Sequence, residues 1–381
     1  VEEITTNYGD IELIWFDTPG RMPRKYAQQL VEVVHRNQPN ALVSGRVGFD
    51  YGDYRTLGDM EVPVENVEGL WEGVDVTNDS WGYASYDENW KSPKQILNYL
   101  IATIARGGTY MLNVGPDGLG QVPEPAQEAL RSAGKWIAKY PQVIYYADPS
   151  PWKHALPWGD VVVNKGKLYL TVNSWPSNGK LYLPGLISEI ASVKLLKNNK
   201  SQKLKFTKEG TWTVIDVPYQ APEQLVSVLE VALKDQIKVD NTQAVDPELG
   251  LNIPARFSKQ NNCKLARDRW MEKFGEWKTL YQINEWTENS SASWEFEVKT
   301  PGRYLVELTF SGEGPRIWSV ESGEGKKIKN RQNSSSIRHT QPVGWISFDK
   351  AGKQTLTIRL PEGERTKTSL SAIRITPVEF N

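Results

Sequence analysis

Three side chains stand where a chain of this kind can do chemistry. Asp17 ends the apolar run IELIWFD (11–17), Arg46 follows ALVSG (41–45), and Glu72 lies within GLWEGVDV (69–76). Such apolar runs read as buried parallel strands, and the Pro19-Gly20 pair is expected to stop the first of them. In α/β proteins the C-terminal strand ends carry function, because the loops there vary while the strand below holds the side chain. Two carboxylates flanking a bond, one ionised as nucleophile and one protonated to assist the leaving group, are the equipment of glycoside hydrolysis. Asn113, ending TYMLNV (109–114), is expected at the same face, with its amide satisfying strand-end backbone. Each residue has a plainer reading. Asp17 also reads as a loop-entry carboxylate, and Arg46 as the partner of a surface carboxylate. Glu61, Glu65 and Glu68 rival Glu72, but they lie in a polar connection, whereas Glu72 rides a predicted strand. Spacing alone leaves open whether Asp17 and Glu72 face each other.

Elements to position these residues follow from periodicity. Ala27, Leu30, Val31 and Val34 recur at helical spacing after Pro23 until Asn37–Pro39. Ser92-Pro93 opens a second helix with Ile96, Leu100, Thr103 and Ile104 on one face and Gly107-Gly108 behind it. Pro123 to Tyr140 gives a third, with Ala126, Ala129, Leu130, Ala133 and Ile137 inward. Residues 47–67 are polar, glycine-punctuated and long for a connection, which marks a functional loop. The order strand, helix, strand, loop, strand, helix, strand, helix predicts a parallel sheet. Beyond Ala147 the pattern changes to short alternating strands such as KLYLTVN, TWTVIDV and VLEVAL, and later SWEFEV, RYLVELTF and QTLTIRL. The fold class expected is α/β plus all-β, with the chain parted into residues 1–146, a small β-sandwich at 147–234, and a jelly-roll-like β-sandwich at 243–381.

Composition narrows the function. The 381 residues hold 45 Lys and Arg against 46 Asp and Glu, so no field attracts nucleic acid or an anionic membrane. One cysteine, Cys263, excludes an intramolecular disulfide within this sequence, and His35, His154 and His339 are too scattered to suggest a metal site. No cofactor is expected, since two carboxylates suffice for the chemistry. No apolar stretch has the length of a membrane span. The 15 Trp and 16 Tyr against 9 Phe favour rings with a polar edge, which suit sugar surfaces and polar-edged cores alike.

Four motifs in order, IWFD (14–17), WE (71–72), SWGY (80–83) and GGTYMLNVGPDG (107–118), resemble the α-L-fucosidases of glycoside hydrolase family 29 over residues 8–140. The resemblance implies a retaining enzyme that removes terminal α-L-fucosyl residues from a fucosylated oligosaccharide or glycoconjugate. In it Asp17 is the nucleophile, Glu72 the acid/base, Trp15 and Arg46 contact the sugar or orient the nucleophile, and Trp81 lines the pocket. Trp15 reads otherwise as a core aromatic and Trp81 as a packing residue of its loop. FDT in place of the commoner FDG, and a shorter turn at VGPDGLGQVP, depart from the family pattern. The family's earlier barrel strands and their pocket histidines have no counterpart here. The expectation is therefore an incomplete (β/α)8-type barrel with a missing N-terminal segment or chain as partner, and a 381-residue chain that alone neither turns over fucosides nor stays a soluble monomer. A secreted or periplasmic setting fits. The third domain resembles carbohydrate-binding modules in pattern, with Trp270, Trp277, Trp286 and Trp318 available for stacking or for a core. Rival readings are a non-catalytic glycan-binding relic and an α-L-galactosidase-like glycosidase.

Overall fold

The computed structural model describes the chain apart from residues 18–19, 198–199, 272–276, 366 and 379–381, and apart from the side chains of 270, 271, 277 and 278. The expected stop at Pro19 and the departure at Thr18 lie outside the described residues. Mixed helix and strand, mostly sheet, form two compact units, one made mainly of residues 1–133 and one of residues 134–270 and 279–381.

The first unit runs α1 (Glu2–Asn7), β1 (Leu13–Ile14), α2 (Arg24–Asn37), β2 (Leu42–Val43), β3 (Arg55–Asp59), β4 (Trp71–Val76), α3 (Pro93–Ala105) and β5 (Thr109–Asn113). A further helix, α4 (Glu124–Lys139), spans the division between units. Strands β1 and β2 pair in parallel, β3, β4 and β5 pair in parallel, and a parallel bridge from Ser44 to Tyr54 joins the two sets. The five strands thus follow one another in chain order.

Helix α2 forms because its apolar residues fall on one face, and that face is used: Ala27 and Val34 are fully buried against Val43 and Val47, with Ile14 and Phe16 packed beside them. Side chains alternate along an extended chain, so Ile14 and Phe16 serve the helix while Trp15 and Asp17 take the other face. Helix α3 starts at a full capping box, in which the Ser92 side chain accepts from Gln95 N and the Gln95 side chain accepts from Ser92 N. It covers the opposite side of β4 from Glu72: a Cβ on Gly73 would stand 3.5 Å from Thr103.

Two expectations need correcting here. The first strand is shorter and less buried than its apolar run suggests, since only Leu13 and Ile14 join the ladder and Leu13 is 38% exposed. Residues 47–67 are not all loop, because β3 lies inside them between β2 and β4. Its sequence RTLGD has neither an apolar run nor a clean alternation, and so carries no strand signal.

The second unit holds two hydrophobic cores. One has side chains from a five-stranded antiparallel sheet and a three-stranded one, with Leu168, Leu170, Val193 and Leu229 meeting Leu181, Leu183 and Ile215. The alternating segment KLKFT (203–207) is not one strand, since the chain breaks at Lys205 between Lys200–Leu204 and Phe206–Glu209, which belong to different sheets. The other core lies in two six-stranded sheets, with Trp294, Phe296, Trp318 and Leu356 of one against Tyr304, Val306, Phe310 and Ile373 of the other. Trp286 and Trp318 are therefore core residues, packed edge to face with ring centroids 5.6 Å apart, and not a sugar platform. The side chains of Trp270 and Trp277 lie outside the described residues.

Candidate active site

The site grows from the ends of β1 and β2. Ser44 extends their ladder by one step: its backbone N–H donates to Ile14 O at 3.1 Å, and its hydroxyl accepts from Phe16 N at 2.9 Å. This fixes Phe16 and, with it, the directions of Trp15 and Asp17 on either side. Arg46 sits in the short 3-10 turn Gly45–Val47. The turn passes so close to β3 that a Cβ on Gly45 would stand 2.7 Å from Tyr54 O, which only glycine avoids.

From there Arg46 makes three contacts. One guanidinium nitrogen donates to Asp17 Oδ1 at 3.1 Å, the other donates to Asp59 Oδ1, and the guanidinium carbon lies 4.9 Å from the Trp15 ring centroid. Trp15 in turn donates its indole N–H to Glu72 Oε1 at 2.6 Å. Asp17, Arg46, Trp15 and Glu72 thus form one connected chain of contacts.

The two carboxylates sit in different surroundings. The Asp17 side chain is 47% exposed, while Glu72 is only 7% exposed. Burial pushes the Glu72 carboxyl above its ordinary range, and the Trp15 N–H, the Arg46 charge and the Tyr54 hydroxyl pull it back in part. Tyr54 is buried too. Burial and the Glu72 charge raise its pKa above the ordinary tyrosine value, and among the described residues its hydroxyl has no hydrogen bond of good geometry.

The register separates Asn113 from this group. Glu72 pairs with Thr56 and Thr109, near the start of β4, while Asn113 pairs with Val76, four residues further on. Asn113 donates to Trp81 O at 2.7 Å and so holds the loop after β4. That loop is braced further by Ser80 Oγ donating to Asp87 at 2.6 Å, and by Lys91, whose ammonium pairs with buried Asp75 at 3.0 Å. Half-buried Trp81 belongs to this braced loop. A polar cleft of about 180 Å³, lined by residues including Met60, Asp79, Trp90 and Tyr99, contains none of the four networked side chains.

Sequence reasoning missed Asp59 and Tyr54, both on or beside β3. A signal existed: Asp59 ends a strand, as Asp17 follows one, but the strand lacked the apolar run that announced β1. Among the described residues, no three His, Cys, Asp or Glu side chains gather closely enough to hold a metal ion.

The family model for Alpha-L-fucosidase matches residues 1–142, the stretch that holds the whole network. Residues 1–142 are therefore similar to the alpha-L-fucosidases. Tissue alpha-L-fucosidase of Bos taurus is 28% identical over 232 residues, which are 56% of this chain and 48% of that protein. Alpha-L-fucosidase of Dictyostelium discoideum is 25% identical over 245 residues, 58% of this chain and 52% of that one. The chain spans about half the length of the curated relatives it matches. Among solved structures, the alpha-L-fucosidase from Vibrio sp. strain EJY3 superposes with a TM-score of 0.75 at 21% identity, covering 98% of this chain and 68% of that chain, a likeness of fold. These fucosidases are glycoside hydrolases, and their family supplies the frame for reading Asp17 and Glu72.

Proposed function

We propose that this chain carries the nucleophile and acid/base of a retaining α-L-fucosidase acting on terminal α-L-fucosyl residues of glycans. The observation that supports it best is the network itself, an accessible carboxylate joined through Arg46 and Trp15 to a buried one with a raised pKa. Environments that push two carboxyl groups apart suit them to opposite roles. Asp17 attacks the anomeric carbon as the glycosidic C–O bond breaks, the bonding electrons leave with the aglycone oxygen, and that oxygen takes the Glu72 proton. Glu72, now ionised, takes a proton from the water that attacks the same carbon, and Asp17 departs as carboxylate. In the same reading, the parallel sheet of residues 1–146 is part of a (β/α) barrel followed by two β-sandwiches, and a preceding barrel segment completes the sugar pocket.

The test is azide rescue with an activated aryl α-L-fucoside, on the natural protein that contains this chain. Asp17→Gly opens a cavity on the face opposite the leaving group, so azide should yield the β-L-fucosyl azide. Glu72→Gly leaves the covalent intermediate to be trapped from the other face, so it should yield the α-anomer. The same anomer from both variants would sink the two assignments.

A further inference from the structure

Double displacement leaves one member of the network without a role. Asp59 ends β3, is only 9% exposed, and accepts from the Arg46 nitrogen that Asp17 does not use. The groups facing Arg46 are Trp15 and Asp17 after β1, Asp59 on β3 and, through Trp15, Glu72 on β4 with Tyr54 beside it. The guanidinium therefore lies between two carboxylates.

We propose that Asp59 is a positioning residue, the counter-ion that anchors Arg46 and neutralises it beside the reacting carboxylates. The inference rests on the roles given above to Asp17 and Glu72. Its physical basis is charge. Positive charge develops on the sugar in an oxocarbenium-like transition state, so a bare guanidinium next to it would oppose the reaction. When Asp17 is esterified in the intermediate it loses its charge, and without Asp59 the Arg46 cation would have no carboxylate paired directly with it. Two carboxylates, one after β1 and one on β3, also fix the guanidinium plane over Trp15, from both of its outer nitrogens.

The experiment compares wild type, Asp59→Asn and Asp59→Glu in the natural protein that contains this chain, by the pH profile of aryl α-L-fucoside hydrolysis and by ¹³C NMR titration of Glu72, assigned with Glu72→Gln. Asp59→Asn should lower kcat about 10- to 100-fold with KM little changed, the pattern of a contact that matters in the transition state. It should also move the basic limb and the Glu72 titration to lower pH, because Arg46 without its counter-ion favours ionised Glu72 more strongly. Asp59→Glu should restore most of both. A kcat loss with an unmoved limb and an unmoved Glu72 titration would reduce Asp59 to a structural residue and overturn the proposal, as would wild-type kinetics in Asp59→Asn. An inactive wild type overturns the fucosidase reading instead, and the NMR shift still decides the role of Asp59.

Discussion

Glu72 accepts an indole N–H, feels the charge of Arg46 and has a buried phenol beside it, yet burial outweighs all three and its carboxyl holds its proton more tightly than in water. Two consequences follow at the scale of single residues. Removing the Tyr54 hydroxyl takes away one group that favours ionised Glu72, so Tyr54→Phe should move the basic limb of kcat/KM to higher pH, the opposite direction from Asp59→Asn. A pH profile checks this, and a shift to lower pH would refute the coupling. The second concerns stability. Because the folded-state pKa of Glu72 is raised, its contribution is fully present below the ordinary value of 4.5 and is lost as pH rises through the folded value. Glu72→Gln cannot titrate, so its stability relative to wild type should improve from pH 4 upward toward neutrality. Urea unfolding at both ends of that window measures it, and a constant difference would show that the carboxyl is not perturbed.

At the scale of elements, the sharpest constraint is the exit from α3. Gly107, at φ 86°, takes the left-handed conformation, its N–H donates to Ile104 O, and Gly108 N–H donates to Thr103 O, both at 2.9 Å. This pair of bonds closes the helix as a Schellman motif. Gly108 has a further duty, since a Cβ there would stand 2.4 Å from the ring of Trp71, the buried neighbour of Glu72 on β4. Gly108→Ala should therefore cost about 1–3 kcal/mol through overpacking and disturb β4 beneath the site. A drop in the unfolding midpoint together with reduced turnover is the expected result, and unchanged stability would contradict the packing. The pair was legible in sequence as a helix stop. Its second role was not, because the clash involves a ring from another strand.

At the scale of the larger unit, Glu297 ties the two β cores together. It is 7% exposed, accepts the Trp212 indole N–H at 2.7 Å and the Thr211 hydroxyl, and lies on the strand Ser291–Val298 while Trp212 starts the strand Trp212–Asp216. Lys299 and Glu209 pair alongside at 2.5 Å. Glu297→Ala would leave a buried indole N–H without an acceptor, at a cost of about 1–3 kcal/mol. Calorimetry should show the two cores melting further apart in temperature than in wild type, and a single unshifted transition would argue against the tie.

Local spacing was enough to place α2, α3 and α4 and to tell that alternating strands follow, because side-chain direction repeats with the backbone period of each element, but in α3 the burial falls on Leu97 and Ile101 where Leu100 and Ile104 were expected. It was also enough to single out Asp17, Arg46 and Glu72, since all three sit in or beside apolar runs, whereas Trp15 was implied by the family resemblance. Only the tertiary structure placed β3 in the sheet, brought Asp59 to Arg46 and Tyr54 to Glu72, and set Glu72 level with Thr109 and not with Asn113. Parallel strands are joined by crossovers too long to transmit register, so their alignment is fixed by packing between segments far apart in sequence. The same holds for Trp318: an alternating strand announces two faces, and only the opposing sheet decides which one becomes core.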